Sequence, residues 1–190
     1  MTTERIREAF RESIEAKEAL TDDDIELILE MAYTMVEAIS QGNKVIWMGN
    51  GGSAADAQHL AAELVSKFYM ERQGIPSLAL SCNTSVLTAI GNDYGFQHVF
   101  QRQVEALARP GDVVVGISTS GNSPNVLLAI ELARDMGCLT MGMTGRSGGK
   151  LADVVDLCLK VPSDDTPRIQ EVHITAGHII CEIVESVTFG

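Results

Sequence analysis

The chain has 190 residues, a hydrophobic fraction of 45% and a formal net charge of −12. That length and apolar content suit one domain around a single core. The acidic balance excludes a nucleic-acid binder, which needs clustered Lys and Arg against phosphate backbones. No apolar run reads as a bilayer span, and Met1–Arg5 is charged and of mixed sign, unlike a secretory signal. Cys82, Cys138, Cys158 and Cys181 are scattered and form no C-x-x-C pair. They read as small buried hydrophobes of a reducing compartment, and the expected location is cytoplasmic.

Residues 4–19 predict an amphipathic helix with Ile6, Phe10 and Ile14 on one side. Thr21 followed by Asp22-Asp23-Asp24 is a helix start: a hydroxyl cap, then acids against the positive helix end. Ile25, Leu29, Ala32, Val36 and Ile39 carry that helix to Gly42, which suits a C-terminal cap. Strands are predicted at 45–48, 78–80, 113–117, 139–143 and 155–159, with helices over 53–67, 84–91, 96–108, 124–136 and 168–188. Near-continuous apolar strands alternating with helices predict an α/β fold with a parallel sheet covered on both faces.

Two strand-to-helix turns carry the densest chemistry. Val45–Met48 runs into Gly49-Asn50-Gly51-Gly52-Ser53-Ala54, and Val113–Ile117 runs into Ser118-Thr119-Ser120-Gly121-Asn122-Ser123-Pro124. Such junctions aim backbone N–H groups and hydroxyls at one point, with a positive helix end behind them. The first turn satisfies G-x-G-x-x-A, but the next strand ends in Ser81-Cys82-Asn83 without the acid a dinucleotide ribose needs. Ser53 is the expected N-cap there. In the second turn Ser123 is the expected N-cap and Pro124 suits the first helical position. Capping needs one hydroxyl and this loop offers four (Ser118, Thr119, Ser120 and Ser123), which points to a phosphate seat. It contains no Lys or Arg, so binding rests on N–H groups, hydroxyls and the helix end.

His59 and Glu63 lie four apart and share a helix face beyond the first turn, with Asp56 and Ser66 near it. That pair suits two metal ligands or an acid and a base. On the last helix stand Gln170, Glu171, His173 and His178. Gln170 and His178 are separated by about 12 Å along the axis and about 80° around it. They meet at one point only if both side chains stretch, the helix start deviates, or another subunit contributes. His173 reads as a helix-surface histidine. Asn92-Asp93-Tyr94-Gly95 reads as a loop between two helices that could present a carboxylate to the strand-end crevice.

Residues 49–63, Gly-Asn-Asp-Tyr-Gly-Phe at 91–96, Ser-Thr-Ser-Gly-Asn-Ser-Pro-Asn at 118–125 and Arg-Ile-Gln-Glu-x-His at 168–173 together resemble the phosphoheptose isomerases of the sugar isomerase (SIS) domain superfamily. The resemblance extends over essentially the whole chain. It implies a single SIS domain over 1–190: a three-layer α-β-α sandwich on a five-stranded parallel sheet, with 1–42 as a helical arm packing on the domain or a neighbour. It also implies a homotetramer with active sites at subunit interfaces, and no nucleic-acid or membrane partner. By the same likeness Ser118, Thr119, Ser120 and Ser123 hold the phosphate, and Asn50, Gly51, Gly52, Ser53, Asn92, Asp93, Glu63 and Gln170 line the sugar. His59, Glu63, Gln170 and His178 hold one zinc per subunit, and Glu63 and His178 are the acid/base pair. One departure is Pro167, where some members carry an acid.

The implied activity is ketose–aldose isomerisation of D-sedoheptulose 7-phosphate to D-glycero-D-manno-heptose 7-phosphate through an enediol. It would be the first step toward nucleotide-activated heptose for lipopolysaccharide or other surface glycans. Zinc would be either a Lewis acid or structural, because a zinc-bound carboxylate is a weaker base and a metal-bound imidazole nitrogen cannot also carry the proton. The alternatives are a non-catalytic SIS adaptor that binds the bacterial replication initiator, and an isomerase for another sugar phosphate; fold alone does not choose among them.

Overall fold

The computed structural model describes residues 2–190. Two helices lead the chain, α1 (Thr3–Glu18) and α2 (Asp22–Ser40). Thr21 and Asp24 close a capping box at the start of α2, each side chain accepting the other's backbone N–H. Then come β1 (Val45–Gly49), α3 (Gly52–Val65), β2 (Ser77–Ala79), α4 (Thr84–Asp93), α5 (Gln101–Leu107), β3 (Val113–Ile117), α6 (Pro124–Asp135), β4 (Leu139–Thr144), β5 (Leu157–Lys160) and α7 (Thr166–Phe189).

The five strands form one parallel sheet in the order β2-β1-β3-β4-β5. All five residues of β1 and of β3 are buried, because helices cover both faces. Alternate residues serve opposite layers. Val45 and Trp47 pack with α2, α3 and α7, while Ile46 and Met48 pack with α5 and α6. Each such side chain contributes about 1.5–3 kcal/mol of burial free energy. Before β1 and β3, Asp112 takes the backbone N–H of Lys44 at 3.0 Å and of Arg109 at 2.7 Å, and pairs with the Lys44 ammonium. That ion pair locks the N-terminal end of the sheet.

Helix α7 is 24 residues long with a window of mean hydropathy 1.2, enough by length and composition to cross a membrane. Here it is a core helix. Ala176, Ile180, Cys181 and Val184 are buried in the cluster formed with α2 and α3. Helix α1 also lies against α7, leaving Ile6, Phe10 and Ile14 exposed.

Several expected boundaries move. The helix predicted over 96–108 breaks into a 3-10 turn at Phe96–His98 and α5, after Gly95 adopts a φ of 91°. The last strand begins at Leu157, because Val155 still bonds back to Leu151 in the preceding 3-10 turn. Helix α7 starts at Thr166 and accommodates Pro167 in its first turn, where no N–H is needed. Asn92 and Asp93 end α4 rather than forming a loop. Of the four cysteines, Cys138 and Cys181 are buried, Cys158 is half-buried and Cys82 is exposed.

Candidate active site

The strand order reverses direction between β1 and β3, and a crevice opens beyond their C-terminal ends, where parallel α/β sheets bind ligands. Both Gly/Ser turns enter it. A cavity of about 290 Å³ is lined by Asn50, Gly51, Gly52 and Ser53 from the first turn and by Ser118, Thr119 and Ser123 from the second. Ile117, Thr166 and Gln170 complete the wall, which includes no Lys or Arg. Any anion seated there meets dipoles rather than cations. Arg146 lines an adjoining cavity of about 340 Å³ that shares Thr119 and Thr166, with its Nε held at 2.8 Å by Asp164.

Local bonding explains the shape of the second turn. Gly121 holds a φ of 64°, and a Cβ there would lie 1.9 Å from the Gly148 carbonyl oxygen, so glycine is required. Ser123 is the N-cap residue of α6 by backbone position, but its side chain makes no cap bond. Its hydroxyl instead lies 2.9 Å from Ser118 Oγ, and Asn125 Oδ1 accepts the Val126 N–H at 3.0 Å. Ser118 and Ser123 are thereby left at the cavity, whereas Ser120 lines the adjoining one. Ser120 is exposed, and its Oγ accepts the Asn122 N–H.

The first turn differs from expectation at Ser53. Gly51 is the N-cap residue of α3, and Ser53 lies inside the helix, buried. Glycines at 51 and 52 let the backbone turn a step earlier than a serine cap would. Asn50 and Asn125 exchange amide hydrogen bonds of 2.9 and 2.8 Å, tying the two turns together. Asn125 is a partner that sequence reasoning passed over, although it lies in the quoted 118–125 motif.

Helices α3 and α7 bring the titratable groups together. His59 Nε2 lies 2.8 Å from His178 Nε2 and 3.2 Å from Glu63 Oε1. One donor atom from each of the three residues falls within 4.8 Å of the others. Their approach depends on Gly177, where a Cβ would fall 2.5 Å from Leu60 Cδ1. The glycine next to His178 therefore admits the leucine next to His59. Phe68 packs at 5.8 Å from the His178 ring, a contact that no sequence pattern signals. Asp56 stands one turn before His59 with Oδ2 buried and unpartnered. Burial raises its pKa, and nearby His59 opposes the rise.

Gln170 points elsewhere: its amide lies over Gly52, where a Cβ would come within 2.6 Å of Nε2. Asn92 and Asp93 are exposed, bonded to each other at 2.8 Å, and line neither cavity. His173 is no surface residue. It is fully buried, Nε2 donates to the Thr144 carbonyl at 3.0 Å, and Nδ1 has no partner. Burial lowers its pKa to about 4, against a smaller opposing effect of the Thr144 bond.

Residues 9–145 match the SIS domain family model. The chain is 60% identical over 173 residues to the phosphoheptose isomerase of Pelobacter propionicus, covering 91% of this chain and 92% of that one. It is 52% identical over 186 residues to that of Aneurinibacillus thermoaerophilus, covering 97% and 94%. The solved phosphoheptose isomerase of Neisseria gonorrhoeae superposes with a TM-score of 0.91 at 46% identity, covering 96% of this chain and 98% of that one. The match in sequence and fold over nearly the full length shows that the chain belongs to the phosphoheptose isomerase family of SIS-domain proteins.

Proposed function

We propose that the chain converts D-sedoheptulose 7-phosphate to D-glycero-D-manno-heptose 7-phosphate through an enediol, supplying nucleotide-activated heptose for surface glycans such as lipopolysaccharide. Membership of its family makes it a sugar-phosphate isomerase. The observation that carries the site assignment is the convergence of His59, Glu63 and His178, about two to three turns along α3 from the crevice lined by both turns.

The phosphate sits against Ser118, Thr119, Ser120 and Ser123 at the positive end of α6. The open-chain sugar runs past Asn50, Gly51, Gly52, Ser53 and Gln170 toward the three-residue cluster. His59 is seven residues beyond Gly52 on α3, about two turns and 10 Å along the same face. An extended seven-carbon chain covers that interval, with carbon–carbon bonds of about 1.5 Å. Glu63 moves a proton between C1 and C2, and His178 transfers protons at the O1 and O2 oxygens.

Two imidazoles and a carboxylate converging at hydrogen-bonding distance suit zinc with an open position. His59, Glu63 and His178 would hold it; Gln170, about 12 Å from His178 along the unbroken α7, would be the fourth ligand only if both side chains stretch or another subunit contributes. Bound there, zinc would polarise the carbonyl as a Lewis acid or brace the cluster. The exposed Ile6–Phe10–Ile14 stripe supports a contact of α1 with another copy; a homotetramer with sites at subunit interfaces, in which Asn92 and Asp93 would reach the sugar of a neighbour, is part of the proposal. A cytoplasmic location is part of the proposal.

Purified protein incubated with sedoheptulose 7-phosphate, with and without a chelator, tests the reading by NMR. Aldoheptose 7-phosphate is the expected product, with loss of turnover on chelation if the metal is catalytic. No conversion by zinc-loaded protein that does turn over a pentose or hexose phosphate would reassign the substrate. No conversion of any sugar phosphate would favour the adaptor, against which the assembled cluster already weighs.

A further inference from the structure

Helix α3 ends at Val65, and the carbonyls of its last turn need partners. Arg72 returns from the following loop to supply them. Its Nη2 donates to the Glu63 carbonyl at 2.9 Å and its Nη1 to the Leu64 carbonyl at 2.8 Å. Nη1 also reaches the Ser66 and Gln73 carbonyls. The Arg72 side chain is only 1% exposed, and its charge is met by Glu185 on α7, 2% exposed, at 2.8 Å. Glu185 in turn accepts the successive N–H groups of Phe68, Tyr69 and Met70 at 2.6–2.8 Å.

Burial alone would raise the Glu185 pKa, but those three N–H groups and Arg72 hold it down to about 2. A buried ion pair is rarely worth more than an apolar pair of the same volume. An apolar pair, however, could not direct this many backbone groups. Two of them, the Glu63 carbonyl and the Phe68 N–H, lead to the reacting centre. Glu63 gives its carbonyl to Arg72 while its side chain joins the cluster. Glu185 is seven residues beyond His178, on the same face of α7. Phe68, whose N–H Glu185 binds, packs on the His178 ring.

We infer that the buried Arg72–Glu185 pair positions the reacting centre, setting the separation of α3 and α7 at which Glu63 and His178 act together. Arg72 and Glu185 touch no substrate; they act through the groups they hold. This rests on the reading of Glu63 and His178 as the acid/base pair.

The test compares Arg72→Lys, Arg72→Met, Glu185→Gln and the double variant Arg72→Met/Glu185→Leu with Lys44→Met, which breaks the half-buried Lys44–Asp112 pair at the entries of β1 and β3, whose hydrogen bonds reach neither α3 nor α7. Each is assayed with sedoheptulose 7-phosphate at a temperature where circular dichroism shows it folded. The double variant removes both charges, so it tests the inference even if a single variant fails to fold. The pair variants should lose about tenfold to a hundredfold in kcat with KM changed less than about threefold. Arg72→Lys keeps the charge but not the fork, and should fall between wild type and Arg72→Met. Lys44→Met should lower Tm and leave kcat intact. Wild-type kcat in the folded double variant, or kcat that tracks Tm across all variants including Lys44→Met, overturns the inference. If Glu63→Gln abolishes turnover while the pair variants keep it, the positioning alone is wrong. If Glu63→Gln retains turnover, the acid/base reading falls too.

Discussion

Substitution of Gly177 by Ala separates stability from activity at the helix contact that builds the site. The added methyl would lie 2.5 and 2.6 Å from the two Leu60 methyls and 3.1 Å from Leu60 Cγ. Carbon atoms prefer about 3.5–4.0 Å, so the helices or Leu60 must give by about 1 Å. Leu60 is fully buried and has little room to move. Overpacking costs about 1–3 kcal/mol, and replacing a helical glycine by alanine returns about 1 kcal/mol. The net loss of about 0–2 kcal/mol corresponds to a Tm drop of at most about 8 °C for a chain of this size. Activity should suffer more: an ångström of displacement between His59 and His178 predicts a loss of up to about a hundredfold in kcat. Thermal melts beside steady-state kinetics read both quantities. Leu60→Ala combined with Gly177→Ala restores the room, so the double variant should recover more activity than the single effects sum to. Wild-type kcat in Gly177→Ala would refute the idea that this contact sets the geometry.

Glu63→Gln should abolish turnover with an unchanged circular dichroism spectrum; near-normal kcat would end the base assignment. Ser120→Ala, at an exposed position, should raise KM for the sugar phosphate with little change in Tm, and an unchanged KM would count against the phosphate seat. His173 titrates near 6.5 when unfolded and is lowered to about 4 in the fold, so the unfolded chain binds more protons between those values. Its contribution is complete above pH 6.5 and is lost as pH falls toward 4, by up to about 3 kcal/mol. Denaturant unfolding across that window should show a shallower pH slope in His173→Gln than in wild type; equal slopes would show that other groups carry the dependence.

The local layer of this protein is legible in its residues. Thr21 and Asp24 spell a capping box, and apolar runs at 45–48 and 113–117 spell buried parallel strands. Four hydroxyls around Gly121 exceed what a helix cap consumes. These signals work because hydrogen bonding to neighbours and side-chain periodicity act over a few residues. Where a short-range rule was asked to choose between close competitors it slipped: Gly51 took the cap expected at Ser53, and Asn92 and Asp93 closed a helix instead of opening a loop.

Contacts between distant segments were decided only by the tertiary fold. His173 shares the helical stripe of Ile169, Val172, Ala176 and Ile180, which points it inward, but that it meets the Thr144 carbonyl was decided by the packing of α7 on β4. The Asn50–Asn125 amide pair spans 75 residues, and the Arg72–Glu185 pair spans 113. The first arises because a parallel sheet stacks its strand ends in an order the chain does not follow, the second because α3 and α7 pack together on one face of that sheet. Residue identity set what each side chain could donate, accept or exclude. Packing determined which of those capacities meet: Gly177 admits Leu60, and so His178 reaches His59.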